Sequence, residues 1–360
     1  MSDEPSDPGD HFFTQSAHAG DDADHPAGRP GSPPIYPAVT YTYDDMQDLS
    51  RVLHGERSGY VYSRYGSPTV STLEEAIASL ENAEGAIAFS SGMAALHCAF
   101  IQCGITPDGP IIAAQDLYGA THALLAQIFA MYDKRSVHYV DMSDAAAVKF
   151  AIEHYAPRAV LMEMISNPLL KVADLPQIAE WTHAAGATLI VDGTFASPYL
   201  IRALAHGADL VVHSGTKYLG GHGDVMAGVI ATDARRAGEL RELIKIYGSN
   251  LGPFEAWILL RGLKTLALRM RQHCANALQV ARWLSDQVSI SKVIYPGLPD
   301  HPQHSIAQRL FRENSFGGVV AFELRDAAEP EVFRFMEALK LIRTGTSLGD
   351  VGSLLVYPAQ

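Results

Sequence analysis

The sequence predicts an α/β protein whose large domain contains a mostly parallel sheet covered by helices. Short apolar segments alternate with segments of helical periodicity from about residue 70 to residue 214. This alternation is typical of parallel sheets, because each crossover between parallel strands needs a covering element, usually a helix. The predicted strands are 86–90, 109–114, 136–141, 159–164, 187–192 and 208–214. The predicted helices are 71–85, one that begins at Gly92, 144–155, 174–185 and a short one near 199–206.

Two further segments flank this alternating region. A long amphipathic helical stretch covers about 253–286, and a less regular α+β segment follows, in which GGVVAFEL (317–324) is the clearest strand. Residues 1–34 are rich in Asp, Gly and Pro, which predicts an extended arm. The expected organisation is an N-terminal arm (1–59), a large domain (60–252) and a smaller C-terminal α+β domain (253–360).

Length and composition restrict the class of protein. With 360 residues, 48% of them hydrophobic, the chain can bury a core large enough for two domains. The formal net charge of −13 argues against nucleic acid or an anionic membrane as a partner, since either would require a basic face. No apolar run approaches the roughly 20 residues of a membrane span, and the acidic start MSDEPSDPGD lacks the pattern of a secretory signal.

The cysteines and histidines do not suggest a metal site. Cys98, Cys103 and Cys274 are odd in number and lack zinc-site spacing, so we expect reduced thiols in a cytoplasmic protein. The 15 histidines are scattered, and His213 and His222 lack the i, i+4 relation of a helical metal pair. A structural role is the preferred interpretation of both, and no metal is expected.

The first strand of the alternating region leads into a candidate anion site. Strand 86–90 runs through Ser91, Gly92 and Met93 directly into a predicted helix. A glycine at a helix start leaves free backbone N–H groups at the positive end of the helix dipole, which together suit a phosphate. The alternative is a glycine that serves packing only, as in many α/β turns.

Two later strands end in residues that suit a ring cofactor. The apolar strand 187–192 ends in Asp192, whose carboxylate either caps a helix or pairs with a protonated ring nitrogen. The next strand continues into Ser214, Thr216 and Lys217, followed by a pair of glycines. A confined lysine has a lowered pKa, so its amine can attack an aldehyde, whereas the alternative is a solvated lysine. A P-loop is excluded, since GxxxxGK[ST] does not occur around Lys217.

A phosphate anchor, an acid on one strand and a lysine on the next are the minimum that pyridoxal 5′-phosphate needs. At these residues the sequence resembles the Cys/Met-metabolism family of pyridoxal-phosphate enzymes, which includes cystathionine γ-synthase, cystathionine γ-lyase, methionine γ-lyase and the O-acylhomoserine sulfhydrylases. The resemblance extends from about Ile35 onward. The motifs that carry it are YVYSRYGSPT (60–69), AFSSGMAAL (88–96), DLYGATH (116–122), EMISNP (163–168), VDGTFASP (191–198), HSGTKYLGGHGDVMAG (213–228) and LRGLKTLALRM (260–270).

The resemblance implies a fold of the aspartate-aminotransferase type (fold type I) and a role for each matching residue. Lys217 is expected to form the Schiff base and to move protons between the α and γ carbons, and Asp192 to pair with the pyridinium. Tyr118 is expected to stack on the ring and act in acid–base chemistry, and Asn167 to contact the ring hydroxyl. The phosphate contacts are expected from Gly92, Met93, Ser214 and Thr216.

The same resemblance implies an oligomer and a substrate contact. Tyr62 and Arg64 are expected to reach the phosphate of a neighbouring subunit, so the active site requires at least a dimer, and a homotetramer is expected. Ser347 is expected to contact the substrate carboxylate. The family's main carboxylate ligand is an arginine in a segment beyond the position of Gln360, and this sequence shows no counterpart. The 360-residue chain is therefore expected to load cofactor but to turn over amino acids poorly.

Several positions depart from the family pattern. The family usually has Asn where this chain has Ser67 and Gly193, and Pro where it has Ile165. Ala120 stands where methionine γ-lyases carry a cysteine, and Gly352 where a glutamate often recognises the far end of the substrate. These departures leave the substrate open among methionine, cystathionine, homocysteine and O-acylhomoserine.

Three functional hypotheses follow, from different classes. The first is an enzyme of trans-sulfuration that acts on an amino acid by γ-elimination, as a carbon–sulfur lyase, or by γ-replacement, as a γ-synthase or sulfhydrylase. The second is a protein that binds pyridoxal phosphate but is catalytically impaired, because the C-terminal arginine is missing. The third, a nucleotide-binding α/β enzyme, requires a dinucleotide fingerprint that the sequence does not show. The first hypothesis is preferred.

Overall fold

The computed structural model describes residues 8–20, 30–104, 109–128 and 137–358. Within them the helices are α1 (Pro8–His18), α2 (Met46–Leu53), α3 (Pro68–Glu81), α4 (Gly92–Gln102), α5 (Gly119–Ala123), α6 (Ala145–Tyr155), α7 (Leu175–Ala184), α8 (Ser197–Leu200), α9 (Ala234–Tyr247), α10 (Pro253–Leu263), α11 (Leu266–Ser285), α12 (His304–Leu310) and α13 (Glu329–Ala338). The strands are β1 (Gly85–Phe89), β2 (Ile111–Ala114), β3 (Val137–Val140), β4 (Ala159–Glu163), β5 (Thr188–Asp192), β6 (Leu210–Ser214), β7 (Gly228–Thr232), β8 (Ile290–Ile294), β9 (Ala321–Leu324), β10 (Arg343–Thr344) and β11 (Leu354–Leu355).

The centre of the molecule is a seven-stranded sheet with the spatial order β1-β7-β6-β5-β4-β2-β3. Strands β2 to β6 pair in parallel, whereas β7 runs antiparallel to both β6 and β1. Strands β2, β4 and β7 are buried along their whole length. Burial on both faces explains why the parallel strands are continuous apolar runs rather than alternating ones.

The six predicted strands and the helices predicted before residue 199 are confirmed, and residue 136 of the strand predicted at 136–141 lies outside the described residues. Strand β7 was not predicted. Its sequence GVIAT follows a glycine-rich segment that indicates a loop, and it is only five residues long. Strand β7 fills the gap between β1 and β6 and so brings β1 into the sheet. The short helix predicted near 199–206 is in fact two separate turns, α8 and a 3-10 turn at Ala203–His206.

The extended arm predicted for residues 1–34 is wrong for residues 8–18, which form helix α1. This helix packs against α11 and α3. Phe12 anchors it, with its ring 5.7 Å from that of Tyr199 and flanked by the guanidinium groups of Arg202 and Arg312. One aromatic anchor and two cation–π contacts offset the polar composition that suggested an arm. The predicted arm's residues 1–7 and 21–29 lie outside the described residues.

We expect Phe12→Ala to lower the free energy of unfolding by about 3 kcal/mol, because the ring is 1% exposed and its removal leaves a cavity. Urea denaturation of the variant and the parent measures this loss. Phe150→Ala is the matched control, since that ring is 62% exposed on α6 and its removal should cost little. Equal losses in both variants would show that α1 adds no stability through Phe12.

The C-terminal third differs in detail from the predicted helical stretch and strand. The stretch 253–286 is two helices, α10 and α11, separated at Lys264 and Thr265. Only Ala321–Leu324 of the predicted strand 317–324 is a strand, paired antiparallel with β8. Gly318 lies outside this strand and packs on Tyr218, since a Cβ there would be 2.8 Å from the Tyr218 hydroxyl oxygen. No helix in the described part of the chain is long and apolar enough to cross a membrane.

Candidate active site

The predicted anion site and the predicted lysine loop meet at the carboxyl ends of β5 and β6. Asp192 and Ser214 are the last residues of these neighbouring parallel strands. Gly92, the first residue of α4, packs on Ser214 so closely that a Cβ at position 92 would lie 3.0 Å from the serine Cβ. Thr194 joins the two strand ends, since its N–H donates to Asp192 Oδ1 (2.9 Å) and its Oγ1 accepts from the Ser214 N–H (2.9 Å).

The N-terminus of α4 has the features of an anion site. The Ser91 hydroxyl caps the helix by accepting a hydrogen bond from the Ala94 N–H (3.1 Å). The N–H groups of Gly92 and Met93 belong to the first turn and lie beyond the reach of intrahelical acceptors. Together with the helix dipole they favour a bound anion, and the absence of a side chain at Gly92 lets the Ser214 hydroxyl approach.

The two hydroxyls of the lysine loop differ in their surroundings. Ser214 faces the start of α4, as its close approach to Gly92 shows. The Thr216 hydroxyl bonds to the backbone of Ala227, accepting from its N–H (3.1 Å) and donating to its carbonyl (3.4 Å). Thr216 therefore holds the lysine loop against the segment that leads into β7, and Ser214 is the hydroxyl nearer the anion site.

Lys217 is half-buried and its amine donates a hydrogen bond to Ser347 Oγ (2.8 Å). Burial lowers the pKa of the Lys217 ammonium, because the charged form loses water. Ser347 comes from the C-terminal segment and has φ +92, which is rare for a residue with a side chain. This segment packs tightly on the lysine loop: a Cβ at Gly349 would lie 2.6 Å from the Tyr218 nitrogen.

Two acidic residues lie side by side at the ends of β4 and β5. The register pairs Glu163 with Asp192, so their side chains share one face of the sheet. Burial raises the pKa of Asp192, and burial together with the neighbouring Asp192 raises the pKa of Glu163, whereas the Tyr118 and Asn167 N–H groups that donate to Glu163 favour its ionised form. Among the described residues, no lysine or arginine forms an ion pair with either carboxyl group. Two buried acids without a cation fit a site built for a positively charged ligand group.

Glu163 also connects the site to Tyr118 and Asn167. Its Oε1 accepts a hydrogen bond from the Tyr118 N–H (2.7 Å), and its Oε2 accepts one from the Asn167 N–H (2.9 Å). Tyr118 precedes α5, and its side chain is 52% exposed, which leaves a ring face accessible for stacking. The Thr121 hydroxyl, on α5, lies 4.0 Å from Met93 Sδ and links this helix to α4.

Tyr62 and Arg64 have partners of their own. The Arg64 guanidinium lies over the rings of Tyr62 (5.6 Å) and Tyr65 (5.0 Å) and donates to the carbonyl of Lys245 in α9. In the part of the chain that the structure describes, none of these contacts joins them to Lys217. The structure therefore brings together the other predicted site residues but not these two.

Known proteins resemble this chain over nearly its whole length. The family model described as Cys/Met metabolism PLP-dependent enzyme matches residues 13–360. This chain belongs to that family. The cystathionine beta-lyase of Lactococcus lactis subsp. cremoris is 41% identical, over 96% of this chain and 87% of that protein. The L-methionine gamma-lyase of Pseudomonas putida is 38% identical, over 97% of this chain and 86% of that protein.

Solved structures agree with the family membership. The crystal structure of metB from Corynebacterium glutamicum superposes with a TM-score of 0.89 at 38% identity and covers 97% of this chain and 87% of that chain. The predicted α/β fold of type I, the Cys/Met-metabolism family and the cofactor are confirmed. The protein is a pyridoxal-phosphate-dependent enzyme.

Sequence reasoning missed Glu163 and the packing reason for Gly193. Like Asp192, Glu163 is an acid at the end of an apolar strand, but no sequence feature provided a reason to assign it a ligand.

The glycine at position 193 has a packing reason. A Cβ at Gly193 would lie 2.6 Å from the His213 ring. His213 is buried, and its Nε2 lies 2.5 Å from Glu81 Oε1. The packing of this pair explains a glycine at a position where the family usually has Asn.

Proposed function

We propose that this enzyme catalyses γ-elimination or γ-replacement on a sulfur amino acid or an O-acylhomoserine. The observation that carries the proposal is the convergence of a helix start suited to an anion at Gly92 with the half-buried Asp192 and Lys217 at one edge of the sheet. Relatives that act as methionine γ-lyase or O-succinylhomoserine sulfhydrylase, at 38% identity, support this reaction class.

The cofactor's phosphate would bind at the start of α4. The backbone N–H groups of Gly92 and Met93 donate to it, and the Ser214 hydroxyl adds a third donor from the facing strand end. Thr216 contributes by fixing the loop through Ala227. Tyr118 would stack on the cofactor ring, and Asn167 would contact the ring's hydroxyl group. The main-chain N–H groups of both residues donate to Glu163, at the carboxyl end of β4.

Asp192 would hold a proton on the ring nitrogen. Its raised pKa shows that ionisation in this buried position is unfavourable without a cation, and a pyridinium would supply one. Bound pyridoxal phosphate supplies an electron-withdrawing ring that stabilises negative charge at the substrate's α carbon. By keeping the ring nitrogen protonated, Asp192 would maintain this electron withdrawal, because an unprotonated ring withdraws electrons less strongly.

Lys217 would bind the cofactor covalently and move protons between the α and γ carbons of the substrate. The lowered pKa of its ammonium favours the free amine, which is the form that attacks an aldehyde and accepts a proton. Ser347 Oγ, 2.8 Å from the amine, would orient it and contact the substrate carboxylate. The Tyr118 phenol, on the exposed side of the site, would assist departure of the γ-substituent.

The oligomeric state, location and domain limits belong to the same proposal. Tyr62 and Arg64 would act on a neighbouring subunit's phosphate, which requires at least a dimer and is compatible with a homotetramer. Cys98 and Cys274 are free and buried, in keeping with reduced thiols and a cytoplasmic protein. We propose that residues 60–252 form the large, cofactor-binding domain and residues 253–360 the small domain.

A second candidate reaction, β-elimination, was not among the sequence-based expectations. A relative of this type, the Lactococcus cystathionine beta-lyase, is 41% identical to this chain. The two reactions break different bonds of one substrate. From cystathionine, γ-elimination releases cysteine, 2-oxobutanoate and ammonia, whereas β-elimination releases homocysteine, pyruvate and ammonia.

A product assay distinguishes these reactions. The enzyme loaded with cofactor is incubated with methionine, cystathionine, homocysteine or O-acylhomoserine plus a thiol, and 2-oxo acid, thiol and thioether products are quantified. We expect 2-oxobutanoate from at least one substrate, or a thioether or new thiol amino acid from O-acylhomoserine. Pyruvate as the sole 2-oxo acid from cystathionine, without any γ-product from the other substrates, would favour β-elimination and contradict the main proposal.

A further inference from the structure

Glu163 is a buried acid at the active site whose role is not explained by any cofactor contact proposed above. It is the last residue of β4, is 8% exposed, and pairs in register with Asp192 of β5. The carboxylates of the two residues therefore occupy neighbouring positions on the same face of the sheet. A second buried acid beside the first costs free energy, because like charges repel more strongly away from water.

Both oxygens of Glu163 are used, and each binds a different loop. Oε1 accepts from the Tyr118 N–H at 2.7 Å, and Oε2 accepts from the Asn167 N–H at 2.9 Å. Tyr118 lies between β2 and α5, whereas Asn167 lies in the turn after β4. One side chain thus fixes the main chain of two separate segments, at distances typical of charge-assisted hydrogen bonds.

The surroundings add negative charge near Glu163 rather than removing it. Asp116 contributes to the raised pKa of Glu163. Lys171, which lines the same small cavity as Glu163, is engaged with Asp116 and Asp141, each 2.7 Å from its amine. A glutamine would avoid the repulsion, but it offers only one acceptor and would direct its NH₂ group at the second N–H donor. The two acceptors are therefore the property that only a carboxylate supplies here.

We propose that Glu163 is the positioning residue of this active site, and that its carboxylate sets Tyr118 and Asn167 relative to Asp192. The inference rests on the proposed function, since it is there that Tyr118 and Asn167 contact the ring. Glu163 is assigned no contact with ring or substrate, because both of its oxygens already accept from main-chain N–H groups. It acts through the main-chain N–H groups of Tyr118 and Asn167, the two residues proposed to contact the ring. It thereby ties their position to β4, the neighbour of β5, which carries Asp192.

Two variants separate this positioning role from a role of charge alone. Glu163→Gln keeps the length of the side chain but loses one acceptor and the charge. Glu163→Asp keeps the charge and both acceptors but is too short by one methylene to bridge both N–H groups. A positioning role predicts that both variants are impaired. If instead only the negative charge of Glu163 matters, through its effect on Asp192, then Glu163→Asp should resemble the parent enzyme and only Glu163→Gln should be impaired.

The measurements are steady-state kinetics and circular dichroism in the absorbance band of the bound cofactor, all on the holoenzyme. We expect both variants to retain cofactor and to lower kcat by about 10- to 100-fold with a smaller change in KM, because a displacement of the order of 1 Å has this effect. The circular dichroism per bound cofactor should change in both, since it reports the orientation of Tyr118 around the ring.

Glu74→Gln is the matched control. Glu74 is also a buried acid that accepts from a strand N–H, that of Ala88 (2.9 Å), and it pairs with Arg241 away from the site. Its replacement is expected to lower stability but to leave the cofactor dichroism unchanged. If Glu163→Gln fails to fold, Glu163→Asp carries the test alone, because a parent-like kcat and dichroism in that variant overturn the positioning role.

The outcomes distinguish this inference from the proposed function. A parent enzyme that binds cofactor and forms γ-products, with Glu163→Asp unimpaired, would overturn the positioning role and leave the proposed function intact. A parent enzyme without any γ-product would contradict the proposed function. In that case the dichroism of the two Glu163 variants still decides whether the carboxylate positions Tyr118 and Asn167.

Discussion

Lys217→Ala is expected to remove the absorbance band of the covalently bound cofactor and to lower kcat by about three orders of magnitude or more. The variant loses both the amine that binds the cofactor and the group that moves protons, and acid–base catalysis alone is worth about 10²- to 10⁴-fold. The half-buried amine beside Ser347 supports the assignment of both roles to Lys217. Absorbance spectra and turnover on the best substrate measure both effects.

Lys149→Ala is the control for this prediction. Lys149 is exposed on α6 and, among the residues that the structure describes, forms an ion pair only with Glu153, so its removal should change neither spectrum nor turnover. Retention of a reducible cofactor–protein adduct in Lys217→Ala would contradict the assignment of the lysine.

Asp192→Ala is expected to weaken cofactor binding and to lower turnover by about two to three orders of magnitude. The carboxylate is half-buried at the end of β5, held by the Thr194 N–H, where a protonated ring nitrogen would be its counterion. Without it the ring loses its proton and the developing negative charge at the α carbon loses stabilisation. Asp192→Glu should be less harmful, because it keeps the charge.

Equilibrium titration of the cofactor and steady-state kinetics measure the two consequences separately. Asp174→Ala serves as the comparison, since Asp174 forms an ion pair with Arg309 and contacts none of the proposed cofactor residues in the part of the chain that the structure describes. Unchanged kinetics in Asp192→Ala would show that the residue only caps the turn at Thr194.

Much of the large domain could be predicted because its parallel strands are buried on both faces. Burial produces the continuous apolar runs of β4 and β5, and their ends indicate where polar side chains collect. Asp192 and Ser214 were found in this way, and the structure confirms that the strand ends lie side by side. The resemblance to known enzymes added Ser347, whose contact with Lys217 joins segments 130 residues apart.

Other features depend on contacts that local sequence does not reveal. Helix α1 is stabilised by the burial of Phe12 against Tyr199, so its polar composition indicated an arm instead. Strand β7 depends on pairing with β1 and β6 on both sides. Glu163 was recognisable as an acid at a strand end, but its two acceptor contacts become visible only when Tyr118 and Asn167 are placed next to it.

Reduction and peptide mapping can identify the lysine that binds the cofactor covalently. The holoenzyme is treated with borohydride, digested, and analysed by mass spectrometry for the peptide that carries the pyridoxyl phosphate group. We expect the modified residue to be Lys217, in the loop that follows β6. Modification of a different lysine, such as Lys171, or of none, would contradict this assignment.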